Sequence, residues 1–228
     1  MARIQLSSRL SAVAERVLSG RPLADVGTDH GQLPVWLLLS GRVPRVIASD
    51  LREKPLNNAR ALAHSHRLSA EQFDARLSDG LSHLQPGEAE TVSICGMGGG
   101  LIARILGDAP SELGLRRLVL QPNNDTEAVR AHLMRTGWGL VDEVLVEEGR
   151  YIYPILCAEP VDTPIVYSEE ALILGPLLMA RRSAVWQRWV AGERSRLSAI
   201  VAHAAVRQQQ ESASLERLRR RVAVFASV

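Results

Sequence analysis

The sequence predicts an α/β domain with a doubly wound, mostly parallel sheet, closed by an antiparallel hairpin and followed by a small helical domain. Apolar strand-like runs alternate with helical segments up to residue 136, a spacing that requires parallel crossovers. Two further strand-like runs, 138–146 and 151–158, are separated by four residues, which can join only antiparallel strands. Beyond a proline-bounded linker at 160–164, a helical pattern continues to the end of the chain.

The elements of the first domain follow from where the apolar runs begin and end. A helical period starts at Ser8, and Gly20 and Pro22 end it before the first strand. Parallel strands are predicted at 23–26, 46–50, 73–77, 91–95 and 118–120. Helices are predicted at 8–18, 33–39, 55–67, 101–106 and 126–135. We therefore expect one domain over residues 1–160 and a second over residues 165–228.

The second domain carries apolar residues at a seven-residue spacing, which is typical of helices that pack against a helical partner. The rows are Leu197, Ala204, Leu218 and Phe225, and Val201, Leu215 and Val222. The polar stretch 208–211 interrupts them, which favours two antiparallel helices, with a single long helix as the alternative. The helix that covers these apolar rows belongs either to the same chain or to another subunit. We therefore expect a monomer or a weak dimer through these helices.

Composition narrows the class of protein. The chain has 228 residues, 46% of them apolar, which suits a packed core, and it has no apolar run near the ~20 residues that cross a bilayer. The N-terminus lacks a signal-peptide core, so we expect a cytoplasmic protein with no membrane association. Cys95 and Cys157 lie in strand-like runs and are interpreted as buried thiols. No cluster of residues at metal-ligand spacing accompanies His64 and His66, so no metal is expected.

The net charge of +2 hides an uneven distribution. Residues 181–228 contain ten arginines and three glutamates, a net charge of +7, which leaves −5 for residues 1–180. A basic appendage on an acidic body indicates contact with a polyanion such as a nucleic acid. The alternative is a solvated helix face, rich in arginine because Lys54 is the one lysine of this chain.

Acidic residues follow three successive predicted strands. They are Asp25, in the run Asp-Val-Gly-Thr-Asp-His-Gly of residues 25–31, then Asp50, then Asp79 with Gly80. Ligands of open α/β sheets bind at the carboxyl ends of the strands, where an acidic side chain accepts hydrogen bonds from ribose hydroxyls. This pattern serves NAD and S-adenosylmethionine equally. The closing hairpin and the missing G-x-G-x-x-G motif favour S-adenosylmethionine.

A glycine-rich segment, Gly-Met-Gly-Gly-Gly at residues 96–100, follows the fourth predicted strand. Successive glycines cost backbone entropy on folding, so they indicate a structural requirement. We interpret the run as a surface where a flat base or cofactor approaches the main chain. A flexible turn is the alternative interpretation.

Together these motifs resemble the bacterial TrmK family of tRNA (adenine(22)-N1)-methyltransferases over roughly residues 8–160. The motifs that carry the resemblance are residues 25–34, 47–50, 96–99, 121–123 (Gln-Pro-Asn) and 147–151 (Glu-Glu-Gly-Arg-Tyr). Lys54 stands where the family usually has glycine before proline, at a helix start. The resemblance implies a class I methyltransferase, Rossmann-like, with a C-terminal coiled-coil domain, S-adenosyl-L-methionine as cofactor and tRNA as partner.

The resemblance also implies roles for individual residues. Cofactor contacts are implied for Asp25, Gly27, Thr28 and His30 at the methionine end, Asp50 and Leu51 at the ribose, Asp79 and Gly80 at the adenine, and Gly96, Met97 and Gly98 beside the target base. Asp29, Gln121 and Asn123 are the expected catalytic residues, with the base held by main chain rather than by an aromatic ring. Arginines expected to bind tRNA are Arg9, Arg16, Arg181, Arg182, Arg188 and Arg194.

Three other functions are compatible with parts of the pattern. A methyltransferase for another RNA or a small molecule shares the cofactor site but does not require the basic tail. A nicotinamide oxidoreductase shares the acidic strand ends but not the closing hairpin. A non-catalytic RNA-binding protein is expected to have lost residues of the cofactor pocket. Asp25, Gly27, Asp50 and Asp79 are all present here.

Overall fold

The computed structural model describes residues 4–107, 111–206 and 213–228 and places a seven-stranded sheet in the first part of the chain. The strands are β1 (Leu23–Val26), β2 (Val46–Asp50), β3 (Phe73–Leu77), β4 (Thr91–Gly98), β5 (Arg117–Asn124), β6 (Trp138–Glu148) and β7 (Tyr151–Pro160). Their order is β3-β2-β1-β4-β5-β7-β6, and β1 to β5 are mutually parallel. The predicted doubly wound, mostly parallel sheet with a closing antiparallel hairpin, followed by a helical part, is confirmed.

The helices of the first unit lie between the strands, as the alternation predicts. They are α1 (Ser8–Arg16), α2 (Gln32–Leu39), α3 (Glu53–Ser65), α4 (Gly99–Leu106) and α5 (Thr126–Arg135), with a short 3-10 turn at Ser111–Leu113. The Ser7 hydroxyl caps α1 by accepting from the amide of Leu10. Val13, Ala14 and Val17 then pack into the core that α1, α2 and α3 share with one face of the sheet.

The predicted hairpin is present and is tighter than the sequence indicates. β6 and β7 pair antiparallel down to Glu148 opposite Tyr151, so only Gly149 and Arg150 form the turn. Gly149 has φ +61°, which a two-residue hairpin turn requires. β7 lies between β5 and β6 and is antiparallel to both. The start of β7 therefore lies at the carboxyl edge of the parallel strands.

A double irregularity interrupts the pairing of β4 with β5. Cys95 lies opposite Gln121 and Met97 opposite Pro122, so Gly96 has no register partner in β5. The next pair joins Gly98 to Asn124, which leaves Asn123 without a partner in β4. Bulges of this kind turn main chain and side chains out of the ladder beside a functional site.

The chain folds as two compact units, Met1–Ile165 and Val166–Val228. The second unit contains α6 (Glu169–Leu174), α7 (Pro176–Arg181), α8 (Ala184–Val206) and α9 (Ala213–Ala226). Trp189, near the start of α8, meets Phe225, near the end of α9, with ring centroids 5.4 Å apart. The two helices therefore pack antiparallel, as the hairpin interpretation predicts and a single long helix does not. The polar stretch 208–211 lies outside the described residues.

The apolar rows of the second unit point mainly inward. Leu197, Leu215 and Phe225 are buried, and Val201, Leu218 and Val222 are partly buried. The indole N–H of Trp186 donates to the Leu174 carbonyl at 3.2 Å, which ties α8 to α6. Within the described residues, every helix is too short or too polar to span a membrane.

Candidate functional site

A cavity of about 720 Å³ opens at the carboxyl ends of β1, β2, β3 and β4. Ligands of doubly wound sheets bind at this edge, where the chain order reverses between β1 and β4. Most of the residues predicted for the cofactor line the cavity, namely Asp25, Gly27, Thr28, His30, Asp50, Leu51, Asp79, Gly80, Gly96 and Met97. The structure thus brings together residues that lie up to 72 positions apart in the sequence.

The turn after β1 approaches the main chain of β2 closely. The amides of Gly27 and Thr28 both donate to the Ser49 carbonyl, at 2.8 and 2.9 Å. Gly27 has φ +74°, and a Cβ there would lie 2.0 Å from the methyl carbon of Met97. The backbone conformation therefore favours glycine at this position, and any side chain here would have to displace the flexible end of Met97.

Asp25 is a buried carboxyl at the base of the cavity, 5% exposed. Burial raises the pKa of Asp25, partly offset by the hydrogen bond that it accepts from the Ser93 hydroxyl at 2.6 Å. A buried carboxylate with few donors retains acceptor capacity. Asp25 is thus suited to receive a cationic or N–H-bearing group from a ligand.

Asp50 ends β2 with its carboxylate held by main-chain donors. One oxygen accepts from the Arg52 amide at 2.9 Å and the other from the Asp29 amide at 3.4 Å. A carboxylate has about four lone-pair sites, so two hydrogen bonds leave acceptor capacity toward the cavity. Leu51 beside it is 66% exposed and presents an apolar side chain to the same cavity.

Asp29 occupies a strained backbone position above the cavity. Its φ is +51°, which an L-residue other than glycine adopts at a cost, and its side chain is 64% exposed. The Nε2 atom of His30 lies 3.8 Å from the Asp29 carboxylate. Asp29 therefore presents an open carboxylate at the rim of the cavity.

The glycines of residues 96–100 have different structural reasons, which corrects the single interpretation made from sequence. Gly96, with φ +76°, forms the β4 bulge, and a Cβ there would meet only the Arg9 guanidinium, at 3.7 Å. Gly99 is buried, and a Cβ there would lie 2.1 Å from the Asp125 carbonyl oxygen. Gly98 faces the Asn124 side chain and does not line the cavity. Close contacts with Asn124 and Asp125 account for Gly98 and Gly99, and the positive φ of the β4 bulge accounts for Gly96.

Gln121, one of the expected catalytic residues, is completely buried, and its side chain does not line the cavity. Its carbonyl oxygen accepts from the Gly96 amide at 3.0 Å and from the Arg9 guanidinium. Its amide nitrogen donates to the Pro122 carbonyl at 2.9 Å and to the Asn123 side chain at 3.1 Å. These bonds fill the hydrogen-bonding capacity of the amide group, so Gln121 positions its neighbours and does not itself reach the cavity.

Asn123 is exposed at the cavity edge, as expected of a residue that contacts a substrate. Its amide nitrogen donates to the Gly96 carbonyl at 2.7 Å, so the two bulged residues of β4 and β5 bind each other. Its side-chain carbonyl accepts from Gln121. The arrangement presents one fixed amide and one glycine backbone to a planar ligand.

Arg9 and Tyr153 also line this edge, and Tyr153 was missed in the sequence. The Arg9 amide donates to Glu148 at 2.9 Å, and its guanidinium lies 5.2 Å from the centroid of the Tyr153 ring. Burial alone would raise the pKa of Glu148, but hydrogen bonds from Ser7 and Arg9 and the charge of Arg9 hold it below its ordinary value. The tyrosine two residues beyond the Glu-Glu-Gly-Arg-Tyr motif was the available signal.

The other predicted arginines lie elsewhere. Arg16 is 15% exposed and forms an ion pair with Asp142 at 2.8 Å, so phosphate binding there would compete with an existing partner. Arg181, Arg182, Arg188 and Arg194 belong to the helical unit, and all four are exposed. Arg182 lies 5.8 Å from the centroid of the Trp186 ring, and Arg181 and Arg188 also have interaction partners within the chain.

Both cysteines are free thiols. Burial raises the pKa of the Cys95 thiol strongly and that of Cys157 to about 11. Both thiols are therefore protonated at neutral pH. Among the described residues, no group of three His, Cys, Asp or Glu side chains is arranged to hold a metal ion.

The cavity residues fit a nucleoside that carries a cationic group. Asp25, Asp29, Asp50 and Asp79 supply four carboxylates to the lining. The side chains of Leu51, Leu101 and Ile105 supply apolar surface beside Asp50 and Asp79. Acceptors for a ribose diol and for an amino group therefore accompany a surface suited to a purine ring, which is the chemistry of S-adenosylmethionine.

Comparisons with known proteins agree with this geometry. The family model of TrmK, tRNA (adenine(22)-N(1))-methyltransferase, matches residues 23–227. The tRNA (adenine(22)-N(1))-methyltransferase of Bacillus subtilis is 34% identical over 195 residues, which cover 83% of this chain and 82% of the relative. The crystal structure of B. subtilis TrmK superposes with a TM-score of 0.86 at 29% identity and covers 98% of both chains.

A Streptococcus pneumoniae structure in complex with S-adenosyl-L-methionine is also similar. It superposes with a TM-score of 0.85 at 31% identity, covering 98% of this chain and 99% of that one. The match of the family model extends from β1 into α9 and so includes both units. The chain belongs to the TrmK family of tRNA (adenine(22)-N(1))-methyltransferases.

Proposed function

We propose that this chain transfers a methyl group from S-adenosyl-L-methionine to N1 of adenine 22 in tRNA. Family membership supports the reaction, and the cofactor complex of the S. pneumoniae relative supports the cofactor. The observation that carries the proposal is one cavity that joins acidic strand ends to the exposed pair Gly96 and Asn123. Such a cavity holds a nucleoside cofactor on one side and a planar base on the other.

Residues 1–160 are the cofactor-binding methyltransferase domain of this proposal, and residues 165–228 its basic, tRNA-binding domain. The exposed arginines Arg181, Arg182, Arg188 and Arg194 support the second assignment, since phosphate contacts supply most of the affinity in nonspecific nucleic-acid binding. Because tRNA is the partner, we place the protein in the cytoplasm. We expect the chain to act without a metal, as a monomer or a weak dimer through its C-terminal helices.

The cofactor supplies a methyl group on a positively charged sulfonium sulfur. In this proposal Asp50 accepts hydrogen bonds from the ribose hydroxyls, with Leu51 packed beside the ring. Asp79 and Gly80 border the adenine, and Asp25, Gly27, Thr28 and His30 border the amino-acid end. Gly96 and Met97 form the wall between cofactor and substrate, and Gly98, the next residue of β4, faces the Asn124 side chain.

The target nitrogen dictates what the protein must supply. Adenine N1 carries a lone pair, so no side chain has to remove a proton before methylation. As the bond from the methyl carbon to N1 forms, its bond to sulfur would break. The cofactor would leave as a neutral thioether, and the positive charge would pass to the adenine ring. Catalysis then rests on positioning and on electrostatic stabilisation, for which a fixed amide and an open carboxylate suffice.

Asp29 and Asn123 are the proposed catalytic residues. The exposed carboxylate of Asp29 stabilises the charged adenine or accepts from its N6 amino group. Asn123, held by Gly96 and Gln121, presents a fixed edge to the base. Gln121 is a positioning residue, because its amide is buried and internally bonded. Watson–Crick pairing occupies N1, so the adenine must be unpaired or flipped, at a cost of a few kcal/mol.

The proposal is tested by incubating the protein with unmodified tRNA and methyl-labelled cofactor, followed by nucleoside analysis. The expected product is N1-methyladenosine, at no more than one per tRNA. Labelled cofactor left unconsumed, or label in another nucleoside, would contradict the proposed reaction. Calorimetric binding of S-adenosylhomocysteine provides an independent check of the cofactor site.

Asp29→Ala separates the catalytic role from cofactor binding. The Asp29 amide, not its side chain, contacts Asp50, so cofactor affinity should be retained. Turnover should fall about 100- to 1000-fold, the range for loss of one electrostatic group. Unchanged turnover would dismiss the catalytic role, and weakened cofactor binding would make Asp29 a cofactor residue.

A further inference from the structure

Two tyrosines at the start of β7 form an aromatic surface beside the cavity. Tyr151 and Tyr153 alternate along the strand and therefore point to the same face of the sheet. Their ring centroids are 6.0 Å apart with an interplanar angle of 48°. Tyr153 lines the cavity, and Tyr151 is 52% exposed outside it. The two rings thus lead from the site to the surface.

A guanidinium lies against each ring. The Arg9 guanidinium is 5.2 Å from the Tyr153 centroid, and the Arg150 guanidinium is 5.0 Å from the Tyr151 centroid. Arg150 also donates to the Tyr151 hydroxyl at 2.7 Å. Arg9 is held in place by Gln121 and by its amide bond to Glu148. We call Tyr153, Tyr151 and Arg150 the aromatic strip.

The fold does not account for the outer part of the aromatic strip. The two-residue turn needs Gly149 in its left-handed conformation, but it does not need an aromatic ring at the next position. Tyr151 is 52% exposed, so only about half of its surface gains hydrophobic stabilisation from the fold. Arg150 is exposed beside the Tyr151 ring, whereas the Arg9 side chain is only 23% exposed. An aromatic ring next to an exposed guanidinium is the chemistry that binds unpaired nucleotides, through base stacking and phosphate contacts.

We propose that the aromatic strip stacks the unpaired segment of the RNA around the methylated adenine. Tyr153 contacts the flipped adenine at the cavity edge, across from Gly96 and Asn123. Tyr151 and Arg150 hold the adjoining nucleotide, its base on the ring and its phosphate near the guanidinium. The adenine is thus held by an aromatic ring as well as by main chain, contrary to the expectation from sequence. The inference rests on the proposed function and adds its substrate contacts.

Steady-state kinetics with full-length protein and tRNA test the contact of Tyr153 with the adenine. Tyr153→Leu keeps an apolar side chain of similar bulk but removes the ring, whereas Tyr153→Phe keeps the ring. We expect kcat/KM to fall about 10-fold or more in Tyr153→Leu, the scale of one lost base–aromatic stack, and to recover in Tyr153→Phe. Equal kcat/KM in wild type and Tyr153→Leu would overturn the inference.

A fluorescent base gives a readout that a purely structural role would not move. A tRNA with 2-aminopurine at position 22, bound with S-adenosylhomocysteine, is quenched when the flipped base stacks on a ring. We expect brighter emission with Tyr153→Leu than with wild type or Tyr153→Phe. The same emission from all three proteins would contradict stacking on Tyr153.

The contacts of Tyr151 and Arg150 are tested by KM for tRNA, with a second arginine variant as the control for the loss of one charge. Arg150→Ala and Tyr151→Ala should raise KM for tRNA about 5-fold or more with little change in kcat. Arg116→Ala removes an exposed arginine that precedes β5. It lies at the amino ends of the parallel strands, away from the cavity, so KM should not change. Equal KM values for Arg150→Ala and Arg116→Ala would overturn the outer contact. A wild type that forms no N1-methyladenosine would instead reject the proposed function itself.

Discussion

Replacing Gly27 by alanine tests whether the β1 turn is shaped for a cofactor. The new Cβ would lie 2.0 Å from the Met97 methyl, whereas carbon atoms in contact lie ~3.5–4.0 Å apart, so the methyl must move by about 1.5–2 Å. Alanine at φ +74° also costs roughly 1–2 kcal/mol of folding free energy. Met97 is flexible, so its displacement adds about 1 kcal/mol for an unfavourable rotamer.

Gly137→Ala is the matched control for the backbone term. Gly137 has φ +77°, and a Cβ there would meet nothing within 4 Å. It lies before β6, away from the carboxyl edge that carries the cavity. Both variants should therefore lose stability through backbone conformation, and only Gly27→Ala should displace a residue that lines the cavity.

Urea unfolding and calorimetry with S-adenosylhomocysteine separate the two effects. We expect about 2–3 kcal/mol lost from the free energy of unfolding in Gly27→Ala and about 1–2 kcal/mol in Gly137→Ala. Cofactor affinity should fall at least about tenfold, or ~1.4 kcal/mol, in Gly27→Ala alone. Wild-type affinity in Gly27→Ala would refute the reasoning, because the turn would then serve only the packing of Met97.

Three further changes probe the buried carboxyl, the buried amide and the basic unit. Burial raises the pKa of Asp25, so the folded protein holds this proton more tightly than the unfolded chain, and stability falls as pH rises from the ordinary aspartate pKa to the raised value. Asp25→Asn should therefore gain thermal stability relative to wild type as the pH rises above about 4, the ordinary aspartate pKa, while binding S-adenosylhomocysteine more weakly; a constant difference in melting temperature at every pH would contradict it. Gln121→Leu leaves its partners unpaired and should cost about 2–3 kcal/mol in chemical unfolding, with kcat lowered although the side chain is buried; wild-type kcat would remove its positioning role. Arg194→Ala should make the salt dependence of tRNA binding shallower by about one unit of log–log slope, and an unchanged slope would exclude a phosphate contact.

The fold was predictable because its signals are local. The strands β1, β2 and β3 have the predicted bounds. β1 and β2 are mostly apolar runs that end at glycine or at a polar residue, and β3 alternates apolar and charged residues up to Ser78. The hairpin followed from the short connection, whatever its sequence. The position of the site could also be predicted, because parallel strands bring Asp25, Asp50 and Asp79 together at their carboxyl ends.

The details of the site depend on pairing that the sequence does not display. The bulges at Gly96 and Asn123 come from the register between two strands, and they turn Gln121 inward and Asn123 outward. Gly99 is required by the carbonyl of Asp125, 26 residues away in the chain. Tyr153 reaches the cavity because β7 runs antiparallel beside β5, so its first residues lie at the functional edge.

A strained backbone position and a buried carboxyl both line the cavity. Asp29 has a positive φ, and Asp25 is a carboxyl whose ionisation burial opposes. Neither feature stabilises the fold, and both face the cavity. This pattern is typical of a site in which stability is reduced to keep functional groups in place.

Methylation of a matched pair of tRNA transcripts tests whether the protein modifies N1 of adenine 22. One unmodified tRNA transcript carries adenine at position 22, and the other carries guanine there with the rest of the sequence unchanged. We expect one methyl group per adenine-22 transcript, mapped to N1 of that base, and none in the guanine-22 transcript. Equal methylation of both transcripts, or none in either with active cofactor-bound protein, would contradict it.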